Sequence, residues 1–169
     1  MVFFDKKITR YLLRDCDAKL SSRDASAVNE WINDNSNQSL YFHVMRDHPR
    51  HRHTILGGMW GSLGGYINAD SPKLFESMKD QIEAGQIRYG GDQEWLRKVI
   101  WPNVRNSTLA HDEFFCKHFE SLVVRGFPHK RIDGTDFVGN VYTRPKWRGL
   151  VMKPGSSNKE CLRNASFYF

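Results

Sequence analysis

The chain holds 169 residues, 40% hydrophobic and 26% charged, a balance that suits one globular domain and excludes a disordered or fibrous polypeptide. No stretch approaches the roughly 18 consecutive apolar residues of a membrane span, and Met1-Val-Phe-Phe-Asp-Lys-Lys7 lacks the order of a signal peptide, so a soluble cytoplasmic protein is expected. The net charge of +6 is uneven: residues 125–169 hold 9 basic and 3 acidic side chains, whereas residues 1–124 balance at 16 and 16, which suits an anionic partner.

Ile8-Thr-Arg-Tyr-Leu-Leu13 reads as a strand ending at Arg14-Asp15. Ser21 or Ser22 then caps a helix, with Asp24 in its first turn to complement the dipole and Ala25, Val28, Trp31 and Ile32 at helical spacing. Tyr41 to Arg46 is a second strand, and residues 47–65 read as a loop with a short extended stretch near Ile55-Leu56. Ser71-Pro72 opens an amphipathic helix carrying Leu74, Phe75, Met78 and Ile82, which Gly85 ends. Asp92 is expected to cap a third helix, with Trp95, Leu96, Val99 and Ile100 on its apolar face and Pro102 closing it. Thr108-Leu-Ala110 is a short strand leading into His111-Asp112. Strands alternating with helices suggest an α/β or α+β class; the fold expected is α/β, a mixed sheet flanked by helices, with ligands at the carboxyl ends of the strands. Cys16, Cys116 and Cys161 are odd in number and widely spaced, so reduced thiols are expected.

Polar groups cluster where those strands end. Asp15-Cys16-Asp17 sets two carboxylates just past an apolar strand, where they can present oxygens to a hard divalent cation such as Mn²⁺ or Mg²⁺. Residues 41–53 hold four of the seven histidines, but without a nearby cysteine or HExxH pattern they argue against zinc. With Arg46, Arg50 and Arg52 they read as a cationic contact surface for phosphate or sugar. Gly57-Gly58-Met59-Trp60-Gly61 allows close approach of the backbone to a ligand, and Trp60 is a candidate to stack on a sugar ring. Asp92, beside Gln93 at a helix start, is placed to act as a general base toward a hydroxyl, and the His111 imidazole could complete a metal shell.

Taken in order, Asp15-Cys-Asp17, His43-Val-Met-Arg-Asp-His-Pro49, Ile55-Leu-Gly-Gly-Met-Trp-Gly61, Gly91-Asp-Gln-Glu-Trp-Leu96, Trp101-Pro102, His111-Asp112 with Cys116, and Phe137-Val-Gly139 resemble a group of small GT-A-type glycosyltransferases found in large DNA viruses of algae and in some bacteria and invertebrates. The resemblance spans roughly residues 10–141 and implies a metal-dependent transfer from a nucleotide-diphosphate sugar to a hydroxyl of a carbohydrate or glycan acceptor. It implies that Asp15, Asp17 and His111 hold the Mn²⁺ or Mg²⁺. Arg14, Gly57, Gly58, Trp60 and Gln93, with the two aspartates, would line the donor site, and Asp92 would be the catalytic base if the enzyme inverts stereochemistry.

The domain expected from this pattern is a partial GT-A-like metal- and acceptor-binding part at 1–142, followed by an irregular basic arm at 143–169. Only 14 residues precede Asp15, and a parallel crossover alone takes about a dozen or more. The nucleotide-binding half is therefore expected from a missing N-terminal segment, a partner or a second copy in a homo-oligomer. Two other readings use the same residues: a metal-dependent nuclease or phosphotransferase, and an inactive remnant acting as a binding module.

Overall fold

The computed structural model of the chain describes residues 7–68, 72–85, 90–141, 151–153 and 155–162. Five strands form one mixed sheet: β1 (Arg10–Arg14), β2 (Phe42–Arg46), β3 (Met59–Leu63), β4 (Thr108–Asp112) and β5 (Val123–Arg125), in the spatial order β1-β3-β2-β4-β5. β3 runs antiparallel to both β1 and β2, while β2, β4 and β5 are parallel to one another. All strands except β3 therefore point the same way. The carboxyl ends of β1, β2, β4 and β5 share one edge of the sheet with the start of β3. That geometry brings segments far apart in sequence to one rim.

The alternation of side chains along β2 and β4 explains the layers. Phe42, Val44 and Ala110 face one side and pack with Tyr11, Trp60, Leu96, Ile100, Trp101 and Val104. Met45 and Leu109 face the other side, where Ala27 and Trp31 of α1 (Ser22–Ile32) cover them. Every residue of β2 and β4 is buried, as strands covered on both faces must be. Gly61 lets α1 and β1 close on β3: a β-carbon there would lie 2.6 Å from Leu12 Cδ2 and 2.8 Å from the Tyr11 carbonyl oxygen. The side chain of Ser21 caps α1 by accepting from the Asp24 amide at 3.2 Å.

Three elements depart from expectation. The stretch 47–65 contains β3, because the glycines that mark turns in this run also permit close strand packing. Gly90, at φ +82°, is the N-cap of α3 (Gly91–Trp95), so Asp92 lies within the first turn instead of capping it. Pro102 does not close that helix. A π-helical segment, Leu96–Ile100, leads into α4 (Trp101–Val104), with the Trp101 amide donating to the Leu96 carbonyl. Proline lacks an amide and crowds the carbonyl four residues back, and the wider π turn accommodates both effects. A further helix, α2 (Pro72–Glu83), is followed by Gly85 at φ +62°. Its expected cap, Ser71, and the side chains of Leu74, Phe75, Met78 and Ile82 lie outside the described residues.

The reduced-thiol expectation is corrected: Cys116 and Cys161 form a disulfide, leaving Cys16 free and exposed. Their sequence separation of 45 gave no hint of pairing, because the fold closes the distance. No helix among the described residues is long and apolar enough to cross a membrane.

The end of β2 is fastened to the end of β4 by a buried ion pair, Arg46 Nη1 to Asp112 Oδ2 at 2.9 Å, with both side chains at most 1% exposed. Burial lowers the Arg46 pKa and Asp112 opposes that shift. Removing one partner of a buried pair costs about 3–5 kcal/mol. Asp112→Asn is expected to lower unfolding stability in urea by about that amount. A negligible change in midpoint would show that the pair does not hold the strand ends.

Candidate functional site

The rim at the carboxyl ends of the strands sets two carboxylates, Asp15 and Asp92, on two adjacent glycines. The turn before β3 presents Gly57 and Gly58 side by side. A β-carbon on Gly58 would lie 2.3 Å from Asp15 Cγ, and one on Gly57 would lie 3.0 Å from Asp92 Oδ2. Asp15 arrives from the end of β1 and Asp92 from the first turn of α3, with only bare backbone beneath them. Although solvent reaches the Asp15 side chain, its pKa is raised, first by desolvation and then by the charges of Asp17 and Asp92. Repulsion among carboxylates of this kind is relieved by a cation. Oxygen-only donors suit Mg²⁺ or Mn²⁺ better than softer metals. Among the described residues, no three or more His, Cys, Asp or Glu side chains are grouped so as to enclose a metal ion.

Beside Asp92, α3 carries two polar atoms with no hydrogen-bond partner among the described residues, Gln93 Oε1 and Trp95 Nε1. One accepts and the other donates. Buried polar atoms are normally paired; these two are shielded from solvent, and Trp95 packs against the core. The sequence pattern assigned Trp95 to an apolar face; its unpaired indole nitrogen becomes visible only once the helix is placed.

His111 belongs to a different group. On the α1 side of the sheet, its Nδ1 lies 2.8 Å from His43 Nε2, and its Nε2 lies 3.4 Å from a Glu30 oxygen. Glu30 also accepts from Arg125, which reaches Asp34 at 2.6 Å. His43 is fully buried, stacks on Trp31, and has its pKa pushed well below 6.5 by desolvation and then by His111. Asp92 instead sits on the helix that packs against the opposite face through Leu96 and Ile100. The structure therefore brings Asp15 and Asp92 to one glycine turn, with Asp17 near enough for its charge to act on Asp15, and does not bring His111 to them.

Arg14 supports the site from beneath. Its guanidinium donates to both Asp24 oxygens, to the Leu13 carbonyl and to the Trp60 carbonyl, which locks the strand end that carries Asp15. Trp60 is 2% exposed, packs on Tyr11 and Phe42, and donates from Nε1 to the Gly57 carbonyl. Its contribution is to hold the glycine turn, since its ring faces are covered.

The expected cationic surface at 46–53 resolves into two parts. Arg50 and Arg52 are exposed, but Arg46, Asp47 and His48 are buried. Asp47 accepts from Arg23 at 2.6 and 2.8 Å, from Arg131 at 2.7 Å and from the Val138 amide at 3.0 Å. Glu113 completes the group, at 2.8 Å from Arg23 and 3.0 Å from Arg131. Burial works against the charge on Arg23, but Asp47 and Glu113 prevail and its pKa rises. Sequence spacing marked Arg46 and Asp47 as polar residues at a strand end, but gave no sign that their partners were Asp112, Arg23 and Arg131.

Comparison with protein-family models, with curated proteins and with solved structures returned no match.

His51 gives the rim a pH signature. Its Nδ1 accepts the Asp47 amide at 3.1 Å, and burial pushes its pKa from 6.5 to about 3. The unfolded chain binds a proton between these values that the folded chain refuses. The contribution is intact above pH 6.5 and is lost as pH falls toward 3. The wild-type melting temperature is expected to drop on acidification below pH 6.5, with a shallower drop in His51→Gln. Identical slopes for the two proteins would show that His51 does not stay neutral in the fold.

Proposed function

We propose that this chain forms the metal- and acceptor-binding part of a glycosyltransferase that moves a sugar from a nucleotide-diphosphate donor to a hydroxyl acceptor. The observation that carries the reading is the meeting of Asp15 and Asp92, 77 positions apart in sequence, on adjacent glycines at the ligand-bearing edge of an α/β sheet. A Mn²⁺ or Mg²⁺ ion, when bound, supplies positive charge that neutralises the leaving diphosphate. Asp15 and Asp17 are the residues to hold it. His111, on the other face, is left to its histidine–glutamate pair.

Each remaining part of the site has a task in this reaction. Gly57 and Gly58, lacking side chains, let the Asp15 and Asp92 carboxylates lie against the backbone of the turn. Asp92 takes the proton of the acceptor hydroxyl as its oxygen bonds to the anomeric carbon and the bond from that carbon to the diphosphate oxygen breaks. Arg14 acts through Asp15 as a positioning residue. The resemblance to GT-A enzymes and the carboxylate convergence support the same assignment independently. One is a pattern of residue types; the other is a placement in space.

Asp92→Asn keeps the shape of the side chain and removes its capacity as a base. It is expected to reduce transfer from UDP- or GDP-sugars in Mn²⁺ by about 10²–10⁴-fold, with Mn²⁺ affinity near that of wild type. Turnover close to wild type would exclude Asp92 as the base. A parallel loss of metal affinity would place it among the metal ligands.

A further inference from the structure

Residues 151–153 and 155–162 lie over the buried charge cluster at the ends of β2 and β4, and among the described residues few non-covalent contacts hold them there. The Met152 amide donates to the Gly134 carbonyl at 2.8 Å, and the Asn158 amide donates to the Glu113 carbonyl at 2.8 Å. Ser157 Oγ donates to Glu113 Oε2 at 3.2 Å. Met152 packs with Phe114 and Phe137, and its sulfur lies 3.3 Å from Arg131 Nη1. The ion pair between Lys117 and Glu160, at 2.8 Å, involves side chains 66% and 62% exposed, so solvent weakens it. Against this modest set stands one covalent bond, Cys116 to Cys161.

That bond is also reachable. It borders an open cleft of about 380 Å³ lined by Val124, Arg125, Gly126, Glu160 and Leu162. Cys161 is 6% exposed and Cys116 is half-buried, and both line that cleft. Buried structural disulfides resist exchange, whereas exposed ones are the labile and regulatory ones.

We propose that the Cys116–Cys161 disulfide is a redox-controlled latch: a dithiol reductant opens it and releases the 151–162 segment from the charge cluster while the sheet stays folded. A reductant thiolate attacks Cys116 Sγ, forming a mixed disulfide and expelling the Cys161 thiolate, which takes up a proton. The second thiol of the reductant, as its thiolate, then displaces Cys116, which is also protonated. The reductant leaves as a cyclic disulfide, so two electrons and two protons pass to the protein. Opening removes Ser157 and the Asn158 amide from Glu113, and uncovers Arg131, Phe114 and Phe137. The latch thereby ties the cover over these residues to the thiol–disulfide balance of the surroundings. It does not depend on the transferase reading.

Two measurements on the full chain test this. Alkylation and mass mapping before reduction should label Cys16 alone, and after treatment with dithiothreitol should label Cys116 and Cys161 as well. Hydrogen exchange should then show the Met152 and Asn158 amides losing at least about tenfold in protection on reduction, while β2 and β4 amides stay protected. Cys161→Ser without reductant should reproduce the released segment, and if that variant folds poorly, reduction of the wild type still decides the matter. Any of three results would overturn the latch: labelling of Cys116 and Cys161 before reduction, retained protection of 151–162 once both cysteines are shown to be reduced, or joint loss of protection in the segment and the strands.

Discussion

Asp47 is the constraint on which the arrangement turns. It is fully buried at the end of β2, and a charge there is tolerable only because three donors converge on it: Arg23 from α1, Arg131 from the segment after β5, and the Val138 amide. Glu113, just past β4, balances the second arginine. Two cations and two anions close on each other, and in doing so tie α1, two strand ends and the 131–138 segment to one point. An aliphatic core could bury similar volume, but it would not dictate which segment meets which. Arginine forks and carboxylates demand a particular register and orientation.

The carboxylate rim depends on that framework without being part of it. α1, held by Arg23, also carries Asp24, which clamps Arg14 and thereby the strand end from which Asp15 projects. Tyr11 and Phe42 bury Trp60, and Trp60 in turn holds the Gly57 carbonyl. Two routes through the structure thus deliver a carboxylate and a bare glycine to the same place. Desolvation first, and then the charges of Asp17 and Asp92, raise the Asp15 pKa. Proteins accept local frustration of this kind where a site has a task.

Much of the fold was legible in the sequence because its cues are local. The Ser21 cap, the helical spacing of Val28 and Trp31, and the apolar strand before Asp15 depend on near neighbours alone. What escaped depends on distant partners. β3 was read as loop because Gly57, Gly58 and Gly61 look like turn residues until Leu12 and Tyr11 are laid against Gly61. β5 is short and only partly buried, so it carries too little pattern to be seen. Pro102 was read as a stop because nothing local announces the π segment that accommodates it. In the site, the pairing of Asp15 with Asp17 could be read directly from their spacing. The meeting of Asp15 with Asp92 on adjacent glycines, and the placement of His111 on the opposite face with His43 and Glu30, required the sheet order.

The central proposal is that Asp15 and Asp17, just past the end of β1, hold a hard divalent cation. Mn²⁺ titration followed by paramagnetic relaxation measures this without any need for donor or acceptor. The account predicts one bound Mn²⁺ in the wild-type chain, lost in Asp15→Asn and in Asp17→Asn, displaced by Mg²⁺, and retained in His111→Gln. Mn²⁺ binding unchanged in both aspartate variants, or abolished only when His111 is replaced, would contradict it.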